Sequence, residues 1–123
     1  MLLKFDDFEI KLNLNNSQTA LKLAKLSSFK AQINTWGEEI YFETANIGIK
    51  PDKNARDVVI FGEVAYWCEG HSIAIGFGKT PVSIENEIRL VSKVNVFGNF
   101  MTSTKLINNL KKLDNNHRVS VII

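Results

Sequence analysis

Gly62-Glu63-Val64-Ala65-Tyr66-Trp67-Cys68-Glu69-Gly70-His71-Ser72-Ile73-Ala74-Ile75-Gly76-Phe77 decides the fold class. Two short runs rich in β-branched and aromatic residues, Val64 to Trp67 and Ser72 to Phe77, flank a Glu69-Gly70 turn. Runs this short, bounded by turn residues, read as adjacent antiparallel strands. The same grammar extends in both directions. Phe8, Ile10, Leu12 and Leu14 alternate with Glu9, Lys11 and Asn13, and Phe29, Ala31 and Ile33 alternate with Lys30, Gln32 and Asn34. Period two with one apolar side is the mark of a half-buried strand.

Further strands are expected at Leu2 to Phe5, Glu38 to Thr44, Val58 to Phe61, Lys93 to Met101 (bent at Gly98) and His117 to Ile123. Asn46 to Asp57 reads as a long surface connection, and Thr80-Pro81 opens a polar loop reaching about Val91. Two helices interrupt the strands. Ser17 caps one that runs to about Leu26, and Thr102 or Ser103 caps another carrying Leu106, Ile107, Leu110 and Leu113 on one side. Neither helix looks like a crossover between parallel strands. The pattern of eight or nine short strands therefore predicts a mainly β, closed antiparallel barrel with two capping helices. Closure would also remove exposed strand edges.

The chain of 123 residues suffices for one domain, with no repeat or linker to divide residues 1–123. Its 15 basic and 13 acidic residues are interspersed. Lys105, Lys111, Lys112 and Arg118 form the densest basic region, which reads as a solvated helix face, so no nucleic-acid partner is expected. No apolar stretch approaches a membrane span, and the start MLLKFDDFEI lacks the pattern of a secretory signal; a cytoplasmic location is the expectation. The single cysteine, Cys68, excludes an intramolecular disulfide and a four-cysteine zinc site.

Two segments carry a resemblance that spans essentially the whole chain. One is Thr35-Trp36-Gly37-Glu38-Glu39-Ile40-Tyr41-Phe42; the other is Gly62 to Trp67, continuing through Gly70, Ile73-Ala74-Ile75 and Phe77-Gly78-Lys79-Thr80-Pro81. Together they resemble the cyclophilin-like family of small archaeal and bacterial proteins. The resemblance implies a cyclophilin-type eight-stranded barrel and supplies no activity. Glu63 stands where that family usually has Asp, Cys68-Glu69 where it has Pro-Pro, and Lys79 where Pro is common. The arginine-centred motif of prolyl isomerases is absent, since Arg56, Arg89 and Arg118 lie in polar loops or at a strand start.

The candidate ligand-binding residues are Trp36, Glu38, Tyr41, Tyr66, Trp67 and Thr80, set around the rim of the expected barrel. Aromatic rings offer apolar area with polar handles for a small molecule or extended peptide. Alternation places Glu38 beside Ile40 and Phe42 on the core side, where desolvation would raise its pKa. The competing reading is that Gly37 permits a bulge that turns Glu38 outward. Cys68 and His71 sit three apart across a turn, the spacing of a thiolate–imidazolium pair or half a metal site, although the default reading is incidental proximity. No metal or cofactor is expected. A binding module is the leading reading. A divergent isomerase or hydrolase, or a homodimer partner with an exposed apolar face, are the alternatives.

Overall fold

The computed structural model describes all residues, 1–123. The chain is mainly β with two helices. In order, it forms β1 (Leu2–Lys4), β2 (Glu9–Lys11), β3 (Asn13–Leu14), α1 (Gln18–Leu23), β4 (Phe29–Gln32), β5 (Asn34–Thr35) and β6 (Glu39–Glu43). There follow β7 (Arg56–Val59), β8 (Glu63–Trp67), β9 (Ser72–Gly76), β10 (Ile88–Asn99), α2 (Thr104–Lys111) and β11 (Arg118–Ile122).

The expected closed barrel is not what these strands build. They form two open antiparallel sheets, one of order β2-β1-β11-β4 and one of order β3-β10-β8-β9-β6-β5 with β7 also paired to β10. The two long alternating segments each divide between the sheets. Residues 9–11 pair with β1 and residues 13–14 with β10; residues 29–32 pair with β11 and residues 34–35 with β6. The breaks fall at Leu12 and Ile33, both buried. Alternation reports which side of a strand is apolar, and that signal is identical for a strand in one sheet and a strand that turns a corner between two. Beyond the Asn34–Tyr41 register, β4 and β6 diverge. No ladder joins β4 to β6, and a groove of about 720 Å³ lies between Phe29–Gln32 and Glu43–Ala45.

Between the sheets sits the main core, which includes Leu3, Ile33, Ile40, Phe42, Val64, Tyr66, Ile73, Ile75, Phe97 and Val121. Helix α1 contributes Ala20 and Leu23 to it, and α2 contributes Leu110. The Ser17 hydroxyl accepts from Ala20 N–H at 3.1 Å and the Ser103 hydroxyl from Leu106 N–H at 3.0 Å, so each helix opens on a capped N-terminus. Both helices end sooner than their sequence suggests: Lys25 and Leu26 close a turn after α1 rather than extending it.

The strand β10 starts at Ile88, inside the stretch expected as polar loop. It pairs first with β7 and then, across register shifts, with β8. One shift falls between Val96 and Gly98, where a Cβ on Gly98 would stand 2.5 Å from the Asn13 carbonyl oxygen. The expected bend is thus a bulge that lets β3 approach. The first half of β10, with β7, packs Val59, Leu90 and Val94 against Ala65. Trp67, Ile88 and Val96 surround this second, smaller cluster on the outer face of the larger sheet.

Buried Asn95 ties several loops to β10. Its amide donates to Thr19 Oγ1 at 3.0 Å and to the Lys50 carbonyl at 2.8 Å, and its carbonyl accepts from Asp52 N–H at 3.0 Å. This anchors the long connection between β6 and β7 that carries no regular structure of its own.

Candidate functional site

Strand β6 explains the site. Its first two residues are both buried, but toward different cores. Ile40 and Phe42 enter the main core, whereas Glu39 and Tyr41 face the outer side. Across the sheet, Glu39 is paired with Gly76 and Tyr41 with Ala74, so neither cross-strand neighbour fills the space beside them. Ile88 comes in over Gly76, where a Cβ would stand only 2.5 Å from Ile88 Cγ2. On β8 the same alternation sends Tyr66 inward and Trp67 outward. The result is a cavity of about 200 Å³ lined by Trp36, Glu39, Tyr41, Trp67, Leu90, Val91 and Val94.

The aromatic wall is well defined. Tyr41 and Trp67 meet edge-to-face, with centroids 5.8 Å apart and planes at 86°. The Trp67 indole N–H donates to Ser92 Oγ at 2.8 Å, which fixes the ring on β10. Trp36 follows β5, and with Gly37 and Glu38 it makes the tight reversal into β6. Gly37 takes φ of +59°, and a Cβ there would lie 2.8 Å from Thr80 Cα, so the reversal admits only glycine. Trp36 N–H closes it by donating to the Glu39 carbonyl at 3.0 Å.

Glu39 is only 6% exposed, and no protein group donates to its carboxyl. It has no ion-pair partner either. Burial raises its pKa from 4.5 to about 7. A carboxyl at that value is shared between its two protonation states near neutrality, so it can accept or donate a hydrogen bond.

Of the six residues singled out in the sequence, Trp36, Tyr41 and Trp67 share this cavity. Tyr66 does not: it is 1% exposed in the main core, its hydroxyl 2.9 Å from Thr44 Oγ1. Thr80 is also elsewhere. It is buried in the loop after β9, its hydroxyl donating to the Arg89 carbonyl and its N–H to Ser83 Oγ at 3.0 Å. The core-side placement of Glu38 is corrected, and the competing reading, an outward turn at Gly37, is the one the chain adopts. The left-handed Gly37 rotates the chain, so Glu38 points outward, its side chain 40% exposed, with Oε2 3.8 Å from Lys111 Nζ. Glu38 N–H donates to the Lys79 carbonyl at 2.8 Å, and Gly78 makes room for the Glu38 carboxyl, since a Cβ there would stand 2.6 Å from Glu38 Cδ.

Glu39 and the β10 residues Leu90, Val91 and Val94 were missed. The signal for Glu39 lay in β8 and β9: Val64 to Trp67 and Ile73 to Ile75 are apolar on both faces, which marks strands covered on both sides. A strand paired with them shares that second covered face.

Cys68 and His71 face apart. Cys68 is buried, within 3.6 Å of the Asn95 amide, and burial pushes its thiol up; His71 lies on the exposed turn with φ of +48°. No arginine lines the cavity, and two of the three are held by acidic side chains. Arg56 pairs with Glu63, while Arg89 pairs with Glu87 at 2.6 Å and Asp57 at 2.7 Å.

The family model described as Cyclophilin-like matches residues 1–121. The chain belongs to that family. It is also similar to the hypothetical protein AF2241 from Archaeoglobus fulgidus, whose solution structure superposes with a TM-score of 0.76 at 32% identity, covering 99% of this chain and 92% of that one. No curated protein matches. No helix is long and apolar enough to cross a membrane.

Proposed function

We propose that this cyclophilin-like domain is a binding module for a small, largely apolar ligand, held in the cavity between β6, β8 and β10. One observation carries the reading. Glu39 is almost fully buried and has no hydrogen-bond or ion-pair partner within the protein, yet it opens onto a cavity whose other walls are aromatic or aliphatic. An uncompensated buried carboxyl is costly, and a fold retains one where a ligand supplies the missing partner. Apolar walls with one convergent polar group are the usual composition of a small-molecule site.

The volume limits the occupant. At about 30 Å³ per water, 200 Å³ corresponds to roughly seven waters, so the cavity takes a small molecule or one side-chain-sized group of a larger one. An isomerase would need a cation over the twisted amide, and no arginine lines this cavity.

Titrating small apolar fragments into isotope-labelled protein tests the reading. Amide and indole shifts should concentrate at Trp36, Tyr41, Trp67 and Leu90. Val91→Trp, at an exposed position on the cavity wall, should block binding while leaving the remaining spectrum in place. Fragments that shift only residues outside this cavity, or none at all, would remove the basis for the proposal.

A further inference from the structure

The chemistry of the lining narrows the ligand. Among the polar groups there, the Trp67 indole N–H is bound to Ser92, the Trp36 indole N–H and the Tyr41 hydroxyl have no protein partner, and none of the three donates to the Glu39 carboxyl. What the site lacks is a donor aimed at Glu39. Around that carboxyl stand the rings of Trp36, Tyr41 and Trp67, and aromatic faces attract a cation. No lysine, arginine or histidine lines the cavity, so the positive charge is not provided by the protein. The nearby basic side chains of Arg56 and Arg89 are held by acidic partners of their own. Leu90, Val91 and Val94 provide a wall that suits an alkyl stem rather than a second charged group.

Resting on the binding-module reading above, we infer that the cavity takes an ammonium group carried on a short alkyl stem, with the ammonium donating to Glu39 and the stem lying between Trp67 and Val94. A primary or methylated ammonium combines the two properties that the lining selects, positive charge and N–H donors, within the available 200 Å³. Such a group has two sources, a free alkylamine or the side chain of a lysine in a peptide. A charge-assisted hydrogen bond to a desolvated carboxylate is stronger than a neutral one, so the charge discriminates between otherwise similar ligands. Burial that raises the Glu39 pKa fits this arrangement, because an incoming cation offsets the cost of ionising the carboxyl.

Both of the chain's tryptophans line the cavity, so intrinsic fluorescence reports its occupancy directly. The experiment compares n-butylamine with n-butanol at pH 8, on the wild type and on Glu39→Gln, a replacement of nearly equal shape. It is repeated with a glycine-flanked lysine peptide and its norleucine counterpart. The amine should bind at least tenfold more tightly than the alcohol. Glu39→Gln should erase that preference while leaving alcohol binding within twofold. Lysine peptide binding tighter than butylamine would assign the group to a polypeptide, and equal or weaker binding to a free amine; either supports an ammonium site, provided norleucine binds at least tenfold less well. If the alcohol binds as well as the amine, the ammonium assignment is overturned and the binding-module reading stands. If neither probe perturbs either tryptophan, both fall.

Discussion

The two faces of the larger sheet meet opposite demands. Toward the smaller sheet lies a sealed core in which Phe42, Tyr66, Ile73 and Phe97 are essentially inaccessible, and the Tyr66 hydroxyl has found Thr44. On the outer face, β7 and the first half of β10 cover the sheet with a much smaller cluster, leaving a cavity with a carboxyl that no protein group satisfies. No fully buried side-chain nitrogen or oxygen lacks a partner, so the unpartnered Glu39 oxygens keep contact with the cavity space. The difference separates what this sequence optimises for stability from what it leaves open. Stability rests on the inner face, and the outer face sacrifices some of it at Glu39.

Truncation on the inner face should have the largest effect. Phe97→Ala removes a fully buried ring from the main core and should cost about 3–5 kcal/mol, read from the denaturant midpoint. A cost below about 1 kcal/mol would mean that this core is not the stabilising one.

The outer face should respond in the opposite direction. Glu39 has its pKa raised to about 7 in the folded chain against 4.5 in its ordinary state. Below pH 4.5 both forms are protonated and the group has no effect. As the pH climbs from 4.5 to about 7 the unfolded chain releases its proton first, so stability falls, and above that range the penalty is constant. Glu39→Gln should therefore raise thermal stability at pH 8, by at most about 3 kcal/mol, and change nothing at pH 4. Equal effects at both pH values would remove the ionisation account.

Asn95→Ala comes next. It deletes the amide that holds Thr19, Lys50 and Asp52, and should cost about 2 kcal/mol while loosening the β6–β7 connection, seen as faster amide exchange at Asp52. Protection there unchanged would mean that the connection is held by other contacts. The smallest effect should come from Arg56→Ala. That ion pair lies at the surface and contributes less than about 1 kcal/mol, so a double-mutant cycle with Glu63→Gln should give a coupling in that range.

Much of this was legible in the chain. The alternation of Phe8 to Leu14 and Phe29 to Asn34, the caps at Ser17 and Ser103, and the turn at Glu69-Gly70 all correspond to structure. Sheet closure was not legible, because a corner at Leu12 or Ile33 preserves the periodicity of an unbroken strand. The start of β10 was hidden by Arg89 and Ser92, polar residues set among Ile88, Leu90 and Val91 directly after the polar loop. At the site, three aromatics were visible from their motif, but the carboxyl was assigned one residue early. Alternation placed Ile40 and Phe42 correctly, but Glu38 lies before β6 in the reversal made by the left-handed Gly37, so the strand's periodicity does not extend to it. Tyr66 and Trp67 stand together in sequence and on opposite faces in space.

The most direct test is the carbon-13 titration of the Glu39 side-chain carboxyl in the folded, ligand-free protein. A midpoint near 7 is expected for a desolvated, unpartnered acid in the cavity. A midpoint near 4.5 would show a solvated carboxyl and contradict the account.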